Sequence, residues 1–225
     1  MKTIQTAYMR RGYDRIIFHL LAALILTPTL QANEIIKAGR FSERSLSGWK
    51  SKAFAGETSY RLKDLGGKTV LLAESHASAS GLFREMQIDL NQTPYLNWCW
   101  QVVEPLPSLP EKTKPGDDYA ARIYLVKKGG LFFWKTKALN YVWSSGQARA
   151  SIWPNAFAGD NVMMLAVRSR NDKGWHCEKR DLRTDWRRAF GEATDRIDAV
   201  ALMTDSDNSK QQTAAYYGDI WFSSH

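Results

Sequence analysis

Little in this chain is suited to metal or thiol chemistry. It has two cysteines, Cys99 and Cys177, with no Cys-x-x-Cys pair and no histidine–cysteine cluster at ligand spacing, so a zinc site is not expected. Histidine is almost as scarce. Of the four, His19 falls in the N-terminal segment and His225 is the last residue, which leaves His76 and His176 inside the domain. Ser78-Ala79-Ser80-Gly81 lacks the nucleophile-elbow pattern, and no glycine-rich loop is present to cradle a phosphate. No cofactor motif is therefore present. Dense blocks of lysine and arginine are also missing, which argues against a nucleic-acid partner.

Long apolar runs are absent apart from residues 16–26, which His19 interrupts. That run is short for a membrane span. Lys2, Arg10, Arg11 and Arg15 precede it, and Thr29-Leu30-Gln31-Ala32 follows with a small residue at its end. This is the layout of a secretory signal peptide cut after Ala32. The expectation is a single domain over residues 33–225, periplasmic or secreted, with no membrane span after cleavage. Cleavage would remove four of the 31 basic residues and one of the 23 acidic ones, leaving 27 against 22 and a net charge of +5. A mildly basic exported protein is drawn to anionic glycan or lipid surfaces, but this charge selects no partner. In an oxidising compartment Cys99 and Cys177 can pair; their spacing in sequence does not decide it.

Short β-patterned runs follow one another through the rest of the chain. Residues 95–103 alternate most clearly, with Leu96, Trp98, Trp100 and Val102 on one face and Asn97, Cys99 and Gln101 on the other. The tryptophans are expected in the core. Residues 69–74 form an unbroken apolar run, as in a strand buried on both faces. Pro105, Pro107, Pro110 and Pro115 mark a loop. The Pro115-Gly116 turn then leads into a strand over residues 117–125. Alternation there puts Tyr119, Ala121, Ile123 and Leu125 on a core face and Asp118, Ala120, Arg122 and Tyr124 on a polar one. Lys127-Lys128-Gly129-Gly130 reads as a hairpin turn, and Leu131-Phe132-Phe133-Trp134 follows. Consecutive aromatics cannot all face inward on a strand, so one or two are expected at the surface. Residues 144–160 read as loop with a short strand. Thr184 or Asp185 can cap a short helix that Gly191 ends. About ten short strands and one short helix predict an all-β fold, a single β-sandwich or jelly roll.

Several of these segments are familiar together. Gly116-Asp117-Asp118 running into Ala120-Ala121-Arg122-Ile123-Tyr124, then Tyr141-Val142-Trp143, Asp185 to Phe190-Gly191, and Asp205-Ser206-Asp207-Asn208 before Tyr217-Gly218-Asp219-Ile220 resemble the bacterial family named domain of unknown function 3047. The resemblance spans most of residues 41–222 and implies a bacterial envelope protein with no assigned activity. Architecturally, Phe41 with Gly48-Trp49 and the closing Tyr-x-Asp-Ile look like the first and last strands of galactose-binding-like carbohydrate-binding modules. Such modules often hold a structural calcium between their termini. Here Ser42 stands where the first acid belongs, with Glu43 one place on and Asp219 near the end.

Three places can carry chemistry. One is a polar sheet face of Asn97, Gln101, Asp117, Asp118, Arg122 and Tyr124, in which Arg122 can pair with Asp118 or with an acid on a ligand. Another is Glu178 and Arg180 with Asp181, Arg168, Arg170 and Asp185. Asp118 and Glu178 facing each other across a cleft would be the equipment of a glycosidase. The third is Asp205-Ser206-Asp207-Asn208, which begins like a calcium loop but lacks the glycine and glutamate that complete one, and which a plain Asp/Asn turn explains. The leading expectation is a non-catalytic exported module binding a glycan or another polar envelope ligand. Its rivals are a carbohydrate-active hydrolase or lyase using Asp118 and Glu178, and an envelope scaffold docking a protein through Phe132-Phe133-Trp134.

Overall fold

The computed structural model describes residues 34–131 and 133–225, except for the side chain of Phe133. The segment expected to be a signal peptide lies outside the described residues, as does Phe132. Residues Asn33–His225 form one compact unit, with strands that pair among themselves and a core of their own.

Among the described residues there are thirteen strands: β1 (Ile35–Gly39), β2 (Lys50–Ala55), β3 (Ser59–Leu65), β4 (Lys68–His76), β5 (Ala79–Asp89), β6 (Tyr95–Glu104), β7 (Ala121–Lys127), β8 (Lys137–Ser144), β9 (Ile152–Asn155), β10 (Gly159–Ser169), β11 (His176–Asp181), β12 (Arg196–Asp205) and β13 (Gln212–Ser223), with one α-helix, α1 (Leu182–Phe190), before β12. They make a six-stranded sheet in the order β11-β6-β13-β4-β3, with β1 also on β13, and a seven-stranded sheet in the order β2-β5-β12-β7-β8-β10-β9. Every pairing is antiparallel except β8 with β10. The fold is an all-β sandwich with one short helix.

The alternation on β6 places Trp98 and Trp100 between the sheets. Trp98 stacks on Tyr141 of β8 at 5.2 Å, and Trp100 meets Trp143 edge-on at 5.8 Å. Ile123 and Leu125 of β7 and Val200 and Leu202 of β12 complete this core. The run in β4 is buried on both sides. Leu71 and Ala73 join the core, while Val70 and Leu72 pack outside with Ala214 and Tyr216.

Three differences from the sequence reading bear on the site. β2 has no counterpart in that reading, because it is exposed along its length and so carries no alternation; β9 is the short strand expected within residues 144–160. The segment after Gly130 is a short 3-10 turn, Phe133–Lys135, at the tip of the β7–β8 connection. β7 begins at Ala121, so Asp118 and Tyr119 are outside strand geometry. Tyr119 therefore leaves the face it was expected to share with Ile123 and packs on the outer side with Val142, Trp153 and Met164.

α1 closes an open edge of the sandwich. Asp181, not Thr184 or Asp185, caps it, accepting from the backbone N–H of Arg183 and Thr184 at 3.0 and 3.3 Å. Gly191 ends it in the left-handed region at φ 69°. Asp185 turns inward, accepting from Tyr141 Oη at 2.8 Å and from Arg180 at 2.8 and 2.7 Å. Cys99 and Cys177 are disulfide-bonded and sit directly opposite each other on β6 and β11.

Candidate functional site

Because Ile123 and Leu125 point into the core, Arg122 and Tyr124 project from the outer face of the seven-stranded sheet. Met203 of β12 pairs with Arg122, which brings Asp205, two residues on, to the same face. Arg122 Nη2 donates to Asp205 Oδ2 and lies 3.3 Å from the Met203 sulfur. The guanidinium is held between two rings, 5.1 Å from the centroid of Tyr119 and 5.2 Å from that of Tyr124. Its side chain is 6% exposed and that of Asp205 1%. Arg122 Nε is buried with no partner.

Acids crowd around this pair. Asp117 accepts from Asn155 Nδ2 at 2.9 and 2.7 Å. Asp118 holds the turn after β12, accepting from the backbone N–H and side chain of Asn208, both at 3.1 Å, and from the N–H of Ser209 at 2.6 Å. Burial pushes the Asp117 carboxyl up against the opposing pull of Arg122 and Asn155. Burial raises Asp207 too, aided by Asp118. Asp205 is raised chiefly by burial, with Arg122 opposing. Arg122 stays cationic: burial works against its charge, and Asp205 with the neighbouring groups outweighs it.

Arg122, Tyr124, Asp117, Asp205, Asp207 and Asn155 line a cleft of about 400 Å³. Phe54 and Phe157 stand at its rim, 56% and 57% exposed. Phe54 meets Phe83 edge-on at 6.1 Å, and Phe83 lies 6.4 Å from Tyr124, so an aromatic row leads from the rim towards Arg122. Asn155 links rim and floor. Its Nδ2 bonds Asp117, and its Oδ1 accepts from the N–H groups of Phe157 and Ala158, both at 3.0 Å.

The structure thus brings together Asp117, Asp118, Arg122 and Tyr124 and adds Asp205, Asp207, Asn155, Asn208, Phe54 and Phe157. Other expected members lie elsewhere. Asn97 and Gln101 alternate with Trp98 and Trp100 and so face outward from the opposite sheet; Asn97 donates to Ser223 Oγ at 3.0 Å. Glu178 and Arg180 face inward at the sandwich edge. Glu178 accepts from Arg168 Nε at 2.5 Å and from Trp100 Nε1 at 3.3 Å, and Arg180 pairs with Asp185. With Asp118 committed to Asn208 and Ser209, the two carboxylates do not confront each other.

The calcium positions are also engaged by protein groups. Asp219 accepts from Ser42 N–H and Oγ at 2.8 and 2.5 Å, while Glu43 pairs with Lys37 at 2.6 Å. Asp118, Asp205 and Asp207 each bring an oxygen within 4.8 Å of the others. Arg122 donates to Asp205, and Asn208 and Ser209 donate to Asp118, so two of the three carboxylates already have donors within the protein.

A β-sandwich with a polar, aromatic-rimmed cleft on one outer sheet face is the class these observations define. Residues 47–221 match the family described as protein of unknown function, DUF3047, and the chain belongs to that family. No curated protein matches the sequence. Among solved structures, the chain is similar to the glycoside hydrolase domain of Endo-D from Streptococcus pneumoniae R6, at 10% identity over 79% of this chain and 22% of that one, with a TM-score of 0.40. It is similar to a variant of a family 29 carbohydrate-binding module, at 8% identity over 85% and 92% of the two chains, with a TM-score of 0.39. It is also similar to endoglucanase cel12A from Rhodothermus marinus, at 9% identity over 83% and 97%, with a TM-score of 0.44. The chain spans only about a fifth of the Endo-D chain.

Proposed function

We propose that the protein is an exported module that binds an envelope glycan in the cleft around Arg122, without turning it over. The observation that carries this is the unpartnered Nε of a buried arginine in a cleft whose rim presents exposed phenylalanines. A buried donor without a partner is costly, and a ligand oxygen would satisfy it. Sugar hydroxyls both donate and accept, so one polyol can bond Arg122 and the surrounding carboxylates together. The rings of Phe54 and Phe157 suit the C–H faces of a pyranose. A few polar groups that orient, set among apolar surface, are the usual makeup of a small-ligand site. Export is supported by the N-terminal pattern and by the Cys99–Cys177 disulfide, a bond that persists in oxidising compartments.

The test is a thermal-shift screen of residues 33–225 against cell-envelope glycans, followed by calorimetry on any hit. A ligand that binds the native state raises its stability by RT ln(1 + [L]/Kd). A shift with one glycan class, reduced by Phe157→Ser, is expected. If every glycan leaves the melting temperature unchanged, the cleft is not a glycan site.

One observation favours a second reading, a hydrolase. Asp117 and Asp207 line the cleft with carboxyls raised by burial, the condition a general acid needs. Product release from a bound glycan, abolished by Asp207→Asn with binding retained, would establish it. Asp118 and Glu178 are not the acids this reading requires.

A further inference from the structure

We propose that the Cys99–Cys177 bond is a site of thiol–disulfide exchange, reached through a groove on the outer face of the six-stranded sheet, and that breaking it releases the edge strand β11. Both half-cystines line this groove of about 380 Å³, together with Trp175, Trp221, Lys68 and Gly218. Cys177 is exposed and Cys99 half-buried. Strand geometry puts them there. Trp98 and Trp100 point into the core, so Cys99 between them points out. β11 pairs with β6 residue for residue, which sets Cys177 opposite Cys99 on the same outer face. β11 ends the sheet order, so no second strand flanks the bond on its far side. Gly218 of β13 stands on the near side, where an added Cβ would lie 3.6 Å from the Cβ of Cys99. With no side chain at that position, this side of Cys99 is left uncovered.

The reductant is a dithiol. Its thiolate attacks the more exposed sulfur, Cys177 Sγ. The S–S bond breaks with its electron pair going to Cys99, which leaves as a thiolate and takes a proton from water. A mixed disulfide remains on Cys177. The dithiol's second sulfur, as its thiolate, then attacks the first, and Cys177 leaves and is protonated in turn. The dithiol ends as a cyclic disulfide, and the protein has gained two electrons and two protons. Access to the sulfur governs the rate of such exchange, and exposed disulfides are the labile ones. Lys68 at the groove attracts an anionic thiolate. Once the bond is open, β11 keeps backbone pairing to β6 alone, and a strand with one neighbour opens locally at low cost. Trp175, the residue before β11, stacks on Tyr216 at 6.3 Å, so the groove wall loosens with the strand. The proposal does not depend on glycan binding, since the Arg122 cleft belongs to the other sheet.

Oxidised protein spanning residues 33–225 would be treated with dithiothreitol in native buffer and, separately, in concentrated guanidinium chloride. Free thiols would be trapped with iodoacetamide and mapped by mass spectrometry. The native rate should fall within about tenfold of the denatured one. Brief treatment with glutathione should leave its adduct on Cys177 and a free thiol on Cys99. Lys68→Glu, at an exposed turn position, should slow native reduction about threefold and leave the denatured rate unchanged. Hydrogen exchange of the reduced protein should show protection lost in residues 176–181 and kept in β7 and β12. Native reduction more than about a hundredfold slower than denatured would mean that the bond is reached only after unfolding, and it overturns the proposal. So does a glutathione adduct found mainly on Cys99. Unchanged protection of β11 after reduction overturns the release of the strand.

Discussion

Arg122 of β7 and Asp205 of β12 form an ion pair on the outer face of the seven-stranded sheet, with side chains 6% and 1% exposed. Arg122 therefore holds the floor of the cleft together, whatever it contributes to the ligand binding proposed for it. Arg122→Ala leaves Asp205 as a buried carboxylate without its counter-ion, at a cost of about 3–5 kcal/mol. The expected fall in melting temperature is roughly 10 °C. Replacing both residues, as Arg122→Met with Asp205→Leu, should recover much of that loss, because a well-packed apolar pair avoids the desolvation of both charges. Melting curves of the two single variants and the double variant decide it. A loss in the double variant equal to the sum of the two single losses would show that the pair is not coupled.

Acidification should stabilise the fold before it destabilises it. Glu111, Asp117 and Asp207 all have carboxyls raised by burial. A raised acid binds its proton more tightly in the folded state, so stability increases as pH falls through the folded pKa towards the ordinary value near ~4. Glu43, Asp64 and Glu85 are lowered, first by side-chain hydrogen bonds with Lys37, Thr69 and Lys128 respectively. Their support disappears only below the ordinary value, and it is small because these groups are exposed. The melting temperature should therefore peak on the acid side of neutrality, and Asp207→Asn should flatten the rise. A melting temperature that falls steadily from pH 7 downward would contradict this.

The same contrast between near and far in the chain explains what the sequence revealed. Alternation alone identified Trp98 and Trp100 as core and Arg122 and Tyr124 as outward-facing, because both are local consequences of strand geometry. Alternation tells which way a side chain points relative to its own strand, not which sheet the strand joins. Asn97 and Gln101 were thus grouped with Arg122 although they lie on the opposite side of the sandwich. Asp118 and Tyr119 were misplaced by continuing the strand backwards past Ala121. There the chain has left the Lys114–Gly116 turn, in which an added Cβ on Gly116 would lie 2.6 Å from the Pro110 carbonyl carbon, and has not yet entered strand geometry. The Arg122–Asp205 pair joins residues 83 apart in sequence, and no local pattern announces it. Phe54 and Phe157 carried no signal because one lies on a fully exposed strand and the other in a turn.

Reduction of Cys99–Cys177 should loosen the β11 edge. The bond closes a loop of 78 residues, which in the chain-entropy account stabilises the fold by about 2–5 kcal/mol. β11 also carries Glu178 and Arg180, whose partners Arg168 and Asp185 close the sandwich edge. A Cys99→Ser/Cys177→Ser variant should melt lower than the oxidised protein by several degrees, at ~2–4 °C per kcal/mol for a domain of this size. Reductant should bring the parent protein to the same point and have no effect on the variant. If reductant does not lower the parent's melting temperature, the bond contributes little to the native fold.

Asn155 separates the rim of the cleft from its floor, which allows the glycan reading to be tested without dismantling the Arg122–Asp205 pair. Its Oδ1 fixes the turn that carries Phe157, and its Nδ2 satisfies Asp117. Phe157→Ser removes an exposed ring, so it should weaken glycan binding roughly fivefold with little change in melting temperature. Asn155→Ala removes the amide that orients that ring and takes from Asp117 the donor it has in Asn155. It should weaken binding at least as much, lower the melting temperature by the cost of about one hydrogen bond, ~1 kcal/mol, and raise the Asp117 carboxyl further. Calorimetry on the parent and both variants, repeated at mildly acidic pH, distinguishes the contributions. Protonating Asp117 removes the buried charge that Asn155 had stabilised, so the Asn155→Ala stability deficit should shrink on acidification, while the Phe157→Ser binding defect should not. Matching defects for the two variants at every pH would mean that Asn155 acts only by placing Phe157, and that its bonds to Asp117 are incidental.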